Sequence, residues 1–137
     1  MSLFGTLAIA GSGMAAQSQR LLTVASNIAN ANSSASAGGQ PYRARQVVFE
    51  AVPVSSGNGE IAAGAGVTVA GVVESQAPLR TVYDPGSAFA DSNGYVQLPN
   101  VNPIDEMVNM MSAQQDYQAS LEAFNVAKAL AVRTLSI

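Results

Sequence analysis

The sequence predicts an α+β fold: long N- and C-terminal helices paired as a coiled-coil-like bundle, with a small β-rich middle region between them. Three observations lead there. Apolar residues recur at steps of three and four near both ends, the period changes to short β-branched runs between them, and Gly, Pro, Ser and Asn punctuate that middle. The boundaries are 1–32 for the first helix, 33–101 for the middle and 102–137 for the second helix.

In the first helix Leu3, Leu7, Ala10, Met14, Gln17, Leu21, Val24 and Ile28 follow alternating steps of four and three, which holds one stripe toward a partner. Gln17 is its polar lapse. Gly11 and Gly13 lie inside the run, each costing about 1 kcal/mol relative to Ala in a helix interior. Their "GSG" is not a phosphate loop, because no strand precedes it and the Lys-Ser/Thr pair is absent. The helix closes on "SNIANAN", residues 26–32. Asn enters the left-handed conformation just past a helix end more readily than most residues, so Asn27, Asn30 and Asn32 are expected to stop the helix.

Between residues 33 and 101, "RARQVVFE", "GVTVAGVVES", "LRTVY" and "GYVQL" are short and rich in β-branched and aromatic residues, and they predict strands. "SSASAGGQP" and "VSSGNGE" have the composition of flexible loops.

The second helix has a marked start. Asn102 suits the N-cap and Pro103 the first helical position, and Asp105 and Glu106 place negative charge at the positive helix end. Its stripe runs Met107, Met110, Gln114, Tyr117, Leu121, Phe124, Lys128, Ala131 and Leu135, with Leu130 alongside. A second stripe of Ile104, Val108 and Met111 lies beside the first, so this helix is expected to meet more than one neighbour.

Composition excludes several functions. With 48% hydrophobic and only 11% charged residues the chain should fold, but it has no Trp, four Phe and four Tyr, so a lone copy buries a thin, alanine-rich core. The net charge is −3 and the basic residues Arg20, Arg43, Arg45, Arg80, Lys128 and Arg133 are scattered, which gives no footprint for nucleic acid. There is no His and no Cys, so the commonest general base, the commonest metal ligand and the thiol nucleophile are absent. Glu50, Glu60, Glu74, Asp84 and Asp91 show no spacing that selects a catalytic pair, and Asp84 in "YDPG" is a turn former. No enzymatic activity, cofactor, metal or small-molecule substrate is expected. "TLAIAGSGMAA" lacks the basic residues that precede a cleaved signal, and no apolar stretch approaches the roughly 20 residues of a membrane span.

The heptad-like stripes at both ends, with "SNIANAN" closing the first, resemble the axial proteins of the bacterial flagellum. Within that family "GSGMAAQ", "PYRARQVVF", "VYDPG", "GYVQLPNVNPIDEMVNMM" and "AKALAVRTLSI" are similar, in order and spacing, to the proximal-rod type. Two departures stand out: Ser33 follows the last Asn where the family usually has Thr, and "QQDYQAS" replaces an Arg-x-Tyr-x-Ala-Asn-like stretch.

The resemblance implies a structural subunit of the basal-body proximal rod, assembling helically into the drive shaft that carries torque from the membrane ring to the distal rod and hook. It implies export through the flagellar type III machinery, without a cleaved signal, to the periplasmic rod. The implied partners are further copies, other rod proteins, and the junction protein between membrane ring and export gate at the rod base. The implied assembly contacts are Leu3, Leu7, Met14, Leu21, Val24, Asn27, Ile28, Asn30 and Asn32 from the first helix, and Met107, Met110, Tyr117, Leu121, Phe124, Leu130 and Leu135 from the second. The three Asn side chains would offer amides, donor and acceptor at once, to neighbouring subunits. Within one subunit the helices are expected to run antiparallel, with Leu21, Val24 and Ile28 beside Met107 to Met111 and Leu3 and Leu7 near Leu130 and Leu135, forming the inner layer of the rod. The alternatives are another rod subunit or a soluble secreted coiled-coil adaptor.

Overall fold

Why each segment adopts its element is visible in a computed structural model, which describes residues 3–34, 39–55 and 61–136. Glu60 and most of the two loops expected in "SSASAGGQP" and "VSSGNGE" lie outside the described residues. The elements run α1 (Leu3–Ala29), β1 (Arg45–Ser55), β2 (Ile61–Glu74), β3 (Arg80–Tyr83), β4 (Tyr95–Leu98) and α2 (Pro103–Leu135). The four β-branched runs are thus the four strands, although they form two separate two-stranded antiparallel sheets.

The start of α2 follows from its local chemistry. Asn102 Oδ1 accepts from the Ile104 N–H at 3.1 Å, Asn102 Nδ2 donates to Asp105 Oδ2 at 2.9 Å, and Pro103 takes the first turn, where no N–H is needed. The end of α1 corrects the left-handed reading of its asparagines. No described non-glycine residue has positive φ. Instead the chain turns tightly: the Ala31 N–H donates to the Ile28 carbonyl at 3.2 Å, and both the N–H and the hydroxyl of Ser33 donate to the Asn30 carbonyl. Arg80 of β3 then supplies the cation that a helix C-terminus favours, its Nη2 donating to the Ala31 carbonyl at 2.9 Å.

The helices pack antiparallel, because Asn27 near the end of α1 bonds Glu106 in the first turn of α2, while Gly13 faces Ser120 farther along. That direction sets Leu21 to Ile28 level with the first turns of α2, as Asn27 shows. At the other end Leu130 and Leu135 are both exposed, Leu135 at 85%.

The seam on α2 is offset by one residue from the expected stripe. Glu106, Met110, Ala113, Tyr117, Ser120, Phe124, Ala127 and Ala131 are buried or half-buried, at steps of four and three. Met110, Tyr117, Phe124 and Ala131 were on the expected stripe, whereas Met107, Gln114, Leu121 and Lys128 are exposed. Close approach explains the offset: a Cβ on Gly13 would stand 3.0 Å from Ser120 Oγ, so only small residues fit where the backbones converge.

The β1–β2 hairpin lies along a second face of α1. Ser12 Oγ accepts from the Val67 N–H at 3.0 Å, and a Cβ on Gly66 would meet that same oxygen at 2.9 Å. The hairpin's register runs from Arg45↔Glu74 to Ser55↔Ile61, with irregularities at Val48/Phe49 and Pro53/Ser55. The β3–β4 hairpin is closed by Asp91, whose Oδ1 accepts from the Asn93 and Tyr95 N–H groups at 2.9 Å each. Asp91 is therefore a turn residue, as Asp84 is, its carbonyl accepting from the Ser87 N–H.

Candidate assembly interface

Asn27 is the best-connected of the candidate residues. It is 1% exposed and uses every hydrogen-bonding position of its amide. Nδ2 donates to the Arg45 carbonyl at 2.8 Å and to Glu106 Oε2 at 3.0 Å; Oδ1 accepts from the Tyr42 hydroxyl at 2.7 Å and the Arg45 N–H at 3.0 Å. One side chain thus joins α1, the start of β1 and the first turn of α2. The expectation that Asn27 offers its amide to a neighbouring subunit is corrected: nothing on it is left to offer.

Its two companions divide the remaining work. The half-buried Asn30 donates back to the Ser26 carbonyl at 2.8 Å, a bond within its own helix end. Asn32 is exposed and accepts from Arg80 Nη2 at 3.3 Å. Of the three, Asn32 is the one classed as exposed.

A second polar centre ties three stretches of the β-rich middle to one another, just before α2 begins. Asn100 Oδ1 accepts from the Ala44 N–H at 2.8 Å, and its Nδ2 donates to the Ala77 carbonyl at 3.0 Å. The Arg43 guanidinium reaches the carbonyls of Ser75 and Ala77. Beneath these bonds Ala31, Ala44 and Val101 form the buried cluster, with Tyr42 packed against it. Residue type alone did not single out Asn100, Arg43 or Arg80, because their partners are backbone carbonyls and amides that only the fold brings near.

The apolar candidates fall into three groups. Val24 is buried; Leu3, Leu7, Met14, Leu21, Ile28, Met110, Tyr117 and Phe124 are half-buried; Met107, Leu121, Leu130 and Leu135 are exposed. On α1 the residues seen against α2 are Gly13, Arg20 and Asn27, one position before Met14, Leu21 and Ile28 of the expected stripe. Beside Met107 the second stripe stands open as well, with Ile104 72% and Met111 60% exposed and Val108 also outward. Arg20, the one charged residue of α1, is turned inward: its Nε donates to Asn109 Oδ1 at 3.0 Å, its Nη2 to the same oxygen, and its Nη1 lies 3.5 Å from Asp116. Among the described residues no group of His, Cys, Asp or Glu could hold a metal ion, and no helix is long and apolar enough to cross a membrane.

Two family models match the chain at the two helical ends. "Flagella basal body rod protein" covers residues 7–34, which is α1 after its first turn together with its closing turn, and "Flagellar basal body rod FlgEFG protein C-terminal" covers 92–137, which takes in β4 and α2. The likeness to curated proteins extends through the middle as well. The chain is 51% identical to flagellar basal-body rod protein FlgC of Salmonella typhimurium over 100% of this chain and 98% of that protein. The chain belongs to the FlgC family of flagellar basal-body rod proteins. FlgC of Yersinia enterocolitica is 47% identical and FlgC of Borreliella burgdorferi 34%, each over 100% of this chain and 98% of the relative. As a FlgC-family protein the chain is a structural subunit of the basal-body rod of the flagellum and serves motility.

Proposed function

We propose that this subunit builds the proximal rod by helical stacking of its two-helix unit, which pairs in coiled-coil fashion, and that the stacked helices carry torque from the membrane ring to the distal rod and hook. The observation that carries this reading is the poverty of the subunit's own core: among the described residues the buried hydrophobic ones are six alanines and three valines, while Ile104, Met107, Met111 and Leu130 stay in solvent. Burying Ala gains far less than burying Leu or Ile, at about 25 cal/mol per Å² of apolar area. A chain built this way completes its burial against other subunits, and contacts that do not close on themselves give a shaft.

On this reading the helices form the inner layer, and the hairpins and loops of the middle meet other rod proteins. The junction protein at the rod base is the neighbour below. A subunit with so small a core is also suited to export unfolded through the type III machinery without a cleaved signal. Its task is structural, with no catalysis, cofactor or nucleic acid. The test is Leu21→Asp, which places an unpaired charge on the half-buried α1 stripe and costs several kcal/mol in a packed assembly. Motility should be lost while the variant is still exported; normal basal bodies containing it would overturn the proposal.

A further inference from the structure

The β3–β4 hairpin stands apart from the rest of the fold. Among the described residues neither of its strands packs against α1, α2, β1 or β2, and Val96, the one buried residue of the stretch 80–98, lies outside the Ala31, Ala44 and Val101 cluster. Its order is its own. The strands pair in one unbroken register from Arg80↔Leu98 to Tyr83↔Tyr95, Asp91 closes the far turn, and Tyr83 meets Tyr95 edge-on. Since β3 is exposed along its whole length, packing does not set the angle at which the hairpin projects.

The chain is pinned on both sides of the hairpin. On the way in, the Ser75 and Ala77 carbonyls accept from Arg43 and Asn100; on the way out, Asn100 Oδ1 accepts from the Ala44 N–H. Pro78 and Leu79 lead into β3 and Pro99 leads out of β4, and neither proline has an N–H to tie its link down. One residue reaches back across this gap. Among the described residues Arg80 is the only member of the stretch 80–98 that hydrogen-bonds outside it. Its Nη2 donates to the Ala31 carbonyl at 2.9 Å and to Asn32 Oδ1 at 3.3 Å, and its Nε donates to the Pro99 carbonyl at 3.2 Å.

From this arrangement we infer that Arg80 is the positioning residue of the β3–β4 hairpin, fixing the angle at which it projects from the helix pair and thereby the surface that the subunit presents to its neighbours. The chemistry suits the task. Ala31 lies just past the end of α1, where carbonyls lack helical partners and a cation is favoured. A planar guanidinium can bond three acceptors held in different directions, whereas the compact ammonium of Lys acts as a point charge. The consequence for assembly rests on the rod reading. The angle itself does not.

The test uses the natural absence of cysteine, which allows nitroxide labels to be placed on the full chain. With Ser18→Cys on α1 and Val82→Cys on β3, both exposed positions, double electron–electron resonance on the isolated chain should give a narrow distance distribution. Arg80→Ala should broaden it, and Arg80→Lys should fall between the two. A control pair, Ser18→Cys with Gln115→Cys on α2, should stay narrow in all three, and the near-ultraviolet signal of the tyrosines should be unchanged, because the hairpin tilts without unfolding. A Ser18–Val82 distribution in Arg80→Ala as narrow as in the parent would overturn the inference. Loss of the tyrosine signal would overturn it as well, by making Arg80 part of the hairpin's own folding. In cells Arg80→Ala should be exported yet lower motility, and Arg80→Lys should recover part of it. Normal motility of the Arg80→Ala strain would overturn the role in assembly, whereas basal bodies lacking the chain even in wild-type form would sink the rod reading and leave the distance measurements standing.

Discussion

Asn27 Nδ2 lies 3.0 Å from Glu106 Oε2, and this bond ties the last turns of α1 to the first turn of α2 across 79 positions of sequence. The same nitrogen holds the Arg45 carbonyl, so the relative placement of three elements converges on one buried amide. Each bond is modest. Leaving their partners unpaired in the interior is what costs.

Asn27→Ala should therefore destabilise the isolated subunit by about 2–4 kcal/mol, because the Arg45 N–H and carbonyl lose their side-chain partner away from water. Asn27→Asp should do at least as much harm, since it keeps the acceptor but sets a second carboxylate against Glu106. Urea unfolding followed by circular dichroism measures both, and an Asp variant as stable as wild type would contradict the arrangement.

Gln17 carries the opposite expectation. It interrupts the α1 stripe, and its Oε1 is buried without a hydrogen-bond partner. Gln17→Leu should stabilise the subunit by about 1 kcal/mol, by removing an unsatisfied acceptor and adding apolar contact. A lower unfolding midpoint would mean that the amide has a role in the seam.

Gly94 closes the β3–β4 turn with φ +83°, and a Cβ there would stand 2.9 Å from Tyr83 Cε2 and 3.2 Å from Pro85 Cβ. Gly94→Ala should cost about 1–3 kcal/mol and disturb the edge-on contact of Tyr83 and Tyr95, whose ring centres are 5.3 Å apart. Near-ultraviolet circular dichroism reads the tyrosine pair directly. An unchanged spectrum with unchanged stability would refute the requirement for glycine.

What could be read from the chain beforehand was local. Asn102 and Pro103 announce a helix start because cap and first turn are neighbours in sequence, and "GYVQL" announces a strand because its side chains alternate. The α2 seam lies one residue away from the stripe that its large apolar side chains predict. The seam itself uses Ala113, Ser120 and Ala127, which carry little hydrophobic signal and are chosen for closeness. The role of Asn27 was hidden for a different reason. Its partners Tyr42, Arg45 and Glu106 lie 15, 18 and 79 positions away, and no spacing rule connects an amide to them.

The alanine and serine seam between the helices has a mechanical meaning. Ala has no side-chain torsion to change, and Ser120 is pinned by its hydroxyl donating to the Asp116 carbonyl at 3.0 Å. A seam of long flexible side chains can creep under sustained shear, each rotamer hop releasing a little stress. At Ala113, Ser120 and Ala127 there is almost nothing to hop, so shear at these points is met by close backbone contact, while Met110, Tyr117 and Phe124 between them keep rotamers that can yield. The stiffness of such a joint is set where its smallest side chains bring the two backbones together.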